Sequence, residues 1–67
     1  MRTWNDFVGD VMSLEPNTQK TYPVLIGNDV SLLHYFRDPI VGAIVQPIAE
    51  IISDDTLNKG TFTIKRL

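Results

Sequence analysis

Asp38-Pro39-Ile40-Val41-Gly42-Ala43-Ile44-Val45-Gln46-Pro47-Ile48-Ala49-Glu50-Ile51-Ile52-Ser53 is the stretch whose reading decides how this chain folds. Aspartate followed by proline is a helix start: the carboxylate caps free N–H groups, and proline loses nothing at the first helical position. Gly42, Gln46, Glu50 and Ser53 then recur every three or four residues and draw one narrow polar stripe down an otherwise apolar surface. Two features oppose a helix. Pro47 lies well inside the segment, where its ring bends a helix at a cost of ~3 kcal/mol. The run is also rich in isoleucine and valine, which favour strands. The spacing predicts a kinked apolar helix over Ile40–Ile52, with a strand pair broken at Gln46-Pro47 as the alternative.

Upstream, the clearest element is an N-terminal amphipathic helix. Trp4, Phe7, Val8, Val11 and Met12 share one helical face, and Asn5, Asp6, Asp10 and Ser13 take the other. Thr3 is placed to cap it, Asp6 lies near the positive end of its dipole, and Pro16 stops it near Leu14. Thr21–Ile26 then reads as a strand with Tyr22, Val24 and Ile26 on one side. Pro23 cannot donate to a ladder and confines that strand to a sheet edge. Gly27-Asn28 is a turn signal. Asp29–Arg37 reads as a short helix capped by Asn28 or Asp29, with Leu32, Leu33 and Phe36 inward; a two-sided apolar strand is the alternative. Ser53–Gly60 is a polar loop, and the alternation of Phe62 and Ile64 with Thr61, Thr63 and Lys65 makes Thr61–Leu67 a strand.

The expected fold is therefore α+β: one small domain over residues 1–67, with an N-terminal amphipathic helix, a minimal two-stranded sheet and the kinked apolar helix. Hydrophobic residues at 43% and charged ones at 21% are ordinary for a globular chain. A net charge of −2 argues against a protein that coats nucleic acid. Cysteine is absent, which removes disulfides, thiolate metal sites and thiol catalysis together. No apolar leader follows Met1, and the Ile40–Ile52 run is too short for a spanning helix, which needs ~20 residues. A cytoplasmic setting without membrane attachment is expected.

Catalytic, cofactor and metal sites are expected to be absent. His34 near Arg37 and Asp38 has no nucleophile beside it at a recognised spacing. Asp54, Thr56 and Asn58 suggest a calcium loop, but the sixth and twelfth positions counted from Asp54 hold Lys59 and Lys65, where such a loop needs glycine and glutamate. Lys59, Lys65 and Arg66 around Phe62 suggest single-stranded nucleic acid, yet Phe62 shares its face with Ile64 and reads as core.

What remains is binding. A two-stranded sheet leaves open edges, and a helix apolar over most of its girth needs more cover than so short a chain supplies. Ile40, Ile44, Ile48 and Ile51, with Tyr22 and Phe62 at the strand edges, are the expected contact residues. The expected role is a non-enzymatic accessory protein that binds and modulates a partner, either a second copy as a homodimer or a host protein. Free-standing chains of this size often have that role in phages and mobile elements. A minor structural component of an assembly and a small nucleic-acid-binding regulator are the alternatives.

Overall fold

Thr3 starts the first helix as its position predicts. In a computed structural model of residues 1–67, its Oγ1 accepts the Asp6 N–H at 3.1 Å, and Asp6 Oδ2 accepts the Thr3 N–H at 3.1 Å. This reciprocal capping box opens helix α1, Trp4–Ser13, which buries Phe7, Val8 and Val11. Its C-cap Leu14 is extended, two residues before Pro16.

Strand β1, Gln19–Pro23, follows; the chain then bends at Val24, and Leu25–Ile26 (β2) pairs with Val30–Ser31 (β3) in a separate two-stranded ribbon. Tyr22, Val24 and Ile26 are all buried, so the expected inward face is real although the strand is divided. Helix α2 is Leu32–Arg37 and turns Leu32, Leu33 and Phe36 into the core. Its cap is Ser31, whose Oγ accepts the His34 N–H at 3.2 Å. Asp29 does not cap it: at φ 63° Asp29 closes the β2–β3 turn, three residues before the helix.

The isoleucine-rich stretch is not a kinked helix. It forms a single 3-10 turn at Val41–Ile44 and then strand β4, Ala49–Asp55. Pro47 offers no N–H to extend a helical ladder, and beyond it the β-branched Ile51 finds a strand partner. That partner is β5, Thr61–Arg66. The main sheet consequently has three strands instead of two, in antiparallel order β1-β5-β4, with Tyr22 opposite Phe62 and Ile51 opposite Ile64.

One face of this sheet meets the helices. Phe7 is the hinge of the packing, its ring centroid 4.9 Å from Tyr22, 6.1 Å from Phe62 and 6.3 Å from Phe36. Around it Val11, Leu32, Val45, Ala49 and Ile64 complete the core. The product is a small α+β domain of two helices and two sheets. No helix is long and apolar enough to cross a membrane.

Its exposed area bears on self-association. The accessible surface is 4294 Å² for 7.6 kDa, against about 4,300 Å² from the scaling of folded monomers. The radius of gyration, 10.8 Å, likewise matches the ~10.9 Å of an independent domain of this length. The third strand and Val45 supply cover that a two-stranded sheet lacks. Light scattering over a concentration series is expected to return a constant molar mass of 7.6 kDa. A mass rising towards twice that value would show that the chain needs its own copy.

A polar clamp holds α1 to the sheet. The buried Tyr22 donates its hydroxyl to Asp10 Oδ2, and Lys20 Nζ lies 2.8 Å from the same oxygen. The Lys20 ammonium and the Tyr22 hydroxyl hold the Asp10 carboxyl below the usual carboxylate range. Burial first, and the Asp10 carboxylate second, push the Tyr22 phenol well above its ordinary value. The signs are opposite. The depressed Asp10 stabilises the fold above its unfolded pKa, near 3.9, and that stability is lost as pH falls through the lower folded value. The raised Tyr22 stabilises the fold below about pH 10 and loses that contribution as pH climbs towards its folded value. Tyr22→Phe is expected to flatten the alkaline decline in urea midpoint above about pH 10, and Asp10→Asn to weaken the acid decline. Unchanged slopes in both variants would remove the clamp from the account.

Candidate functional site

The segment Pro39–Pro47, PIVGAIVQP, contains no charged residue. It projects from the domain as an apolar knuckle built on the 3-10 turn. Ile40 is 85% exposed, Ile44 53% and Val41 40%. Single apolar residues on a surface are normal; three within five residues, on a turn held as this one is, form a patch.

Four devices fix the knuckle. Asp38 Oδ1 accepts the N–H groups of Ile40 and Val41, both at 2.8 Å. Those two donors, Val41 first, hold the Asp38 carboxyl below its ordinary range. The Gln46 side-chain amide donates to the Phe36 carbonyl at 2.8 Å and to the Asp38 carbonyl at 3.0 Å, strapping the far end back to the start. Val45 is fully buried and anchors the turn to the core. Gly42 lies under the end of α2, where an added Cβ would stand 2.1 Å from the Phe36 carbonyl oxygen. The turn is thus rigid, and its aliphatic side chains are held outward before any encounter, which lowers the ordering cost of binding.

The strand edges are less available than the sequence suggests. Leu67 donates to the Ile48 carbonyl at 2.8 Å, so by antiparallel alternation Ala49 and Ile51 turn their backbone groups away from β5. The Val45 carbonyl takes the Ala49 N–H at 2.9 Å. A β-bulge at Ile52, between Ile51 and Ser53, interrupts what remains of the edge. On the other side, Val24 donates to the Gly60 carbonyl at 2.8 Å, and the same alternation points Pro23 outward, where it has no donor to offer. Both edges carry features that natural sheets use against edge-to-edge pairing.

The expected contact residues therefore separate. Ile40 and Ile44 come together on the knuckle. Ile48 and Ile51 are half-buried and pack against the core. Tyr22 and Phe62 are 2% and 1% exposed, so their side chains are core and offer a partner no surface. The burial of Phe62 also removes the base-stacking platform that a nucleic-acid reading requires. Sequence reasoning missed Val41, Gly42 and Gln46 as parts of the site. The available signal was a glycine inside a charge-free run bracketed by Pro39 and Pro47.

Elsewhere the polar groups serve the fold. His34 is exposed, and its backbone N–H completes the α2 cap. In the β4–β5 loop Asp54 Oδ1 accepts the Thr56 hydroxyl at 2.5 Å and the Thr56 N–H at 3.1 Å; these two donors, the hydroxyl first, lower the Asp54 pKa, and Asp54 Oδ2 lies 3.4 Å from Arg37. Leu57 stands at the tip of that loop, 99% exposed. No family model matches the chain, and no curated protein or solved structure is significantly similar to it.

Proposed function

We propose that this chain is a non-enzymatic accessory protein that binds a different protein, and that the Ile40–Val41–Ile44 knuckle enters an apolar concavity on that partner. The observation that carries this reading is the outward presentation of three aliphatic side chains by a turn fixed at both ends. Apolar anchors seated in partner pockets contribute most of the energy of many interfaces. A second copy is a poor occupant. The one hollow on the chain is lined by Asp54, Asp55, Thr56, Leu57 and Asn58 and is too polar to receive it.

The test uses Ile40→Ser combined with Ile44→Ser. Both positions are exposed, so unfolding free energy is expected to stay within about 0.5 kcal/mol per site of the parent. Capture of a stoichiometric partner should be lost in this variant and kept by Leu57→Ser, a control of equal chemistry at the opposite loop. A photo-reactive side chain at position 40 should crosslink to that same captured protein. If the double variant retains the partner, or if the crosslinks join only copies of this chain, the proposal is wrong.

A further inference from the structure

No further inference is drawn: the strongest candidate, the hollow in the β4–β5 loop lined by Asp54, Asp55, Thr56, Leu57 and Asn58, is an acidic cluster whose Asp54 carboxylate already serves the loop turn and the Arg37 ion pair, with no second observation that points to a ligand.

Discussion

Gly42→Ala is expected to lower the melting temperature by roughly 12–24 °C, the equivalent of about 3 kcal/mol in a domain of this size. The new Cβ would meet the Phe36 carbonyl oxygen at 2.1 Å and the Tyr35 carbonyl oxygen at 2.7 Å. Both obstacles are backbone atoms at the end of α2, so no rotamer change relieves the contact. Either the helix end or the 3-10 turn must move, and with it the bonds from Gln46 and Asp38 that hold the knuckle. Partner binding should fall together with stability. Gly9→Ala is the control, because a Cβ there meets nothing within 4 Å. In the middle of α1 that substitution should stabilise by roughly 0.5–1 kcal/mol through helix propensity. Thermal unfolding followed by circular dichroism measures both. A Gly42→Ala protein that melts within two or three degrees of the parent (~0.5 kcal/mol) would mean the turn is looser than described.

The second large effect is expected at Phe7. This ring is fully buried and is the one aromatic ring paired with Tyr22 and Phe62 of the sheet together with Phe36 of α2. Removing it deletes the contact between helices and sheet at its centre. Large aromatic-to-alanine changes in cores cost ~3–5 kcal/mol, and a chain of this length has a total stability of roughly 3–10 kcal/mol. Phe7→Ala should therefore populate the unfolded state substantially at room temperature, while Phe7→Leu, which refills much of the volume, should remain folded with a reduced urea midpoint. A loss below about 1 kcal/mol in Phe7→Ala would place the centre of the core elsewhere.

Parts of this fold are legible in the sequence because one physical signal acts alone there. The Thr3–Asp6 capping box and the Phe7, Val8, Val11 stripe define α1 without tertiary help, and the alternation of Phe62 and Ile64 defines β5. The Ile40–Ile52 stretch carries two signals in conflict: a helical polar stripe and β-branched composition with an internal proline. Tertiary pairing with β5 decided between them. Strand β4 hides for a second reason. The bulge at Ile52 shifts the inside–outside alternation by one residue, so Ala49–Asp55 shows no clean period of two. The candidate site was legible only in part for a related cause. An isoleucine in an apolar run looks the same whether it is buried like Val45 or held out like Ile40. What separates them is the pair of devices that hold the turn: the Asp38 cap, a local signal that reads equally well as a helix start, and the Gln46 strap back to the Phe36 and Asp38 carbonyls, which has no local pattern.

The strand order has a consequence for how the chain reaches its native state. The two outer members, Gln19–Pro23 and Ala49–Asp55, share no hydrogen-bonded ladder; the segment that joins them is synthesised after both. Until Thr61–Arg66 is available, neither can form its ladder, and the apolar side chains of both remain without a lining. A nascent polypeptide on the ribosome must therefore stay open, held only by its helical turns and the short ribbon, and the whole sheet closes in one late, cooperative event.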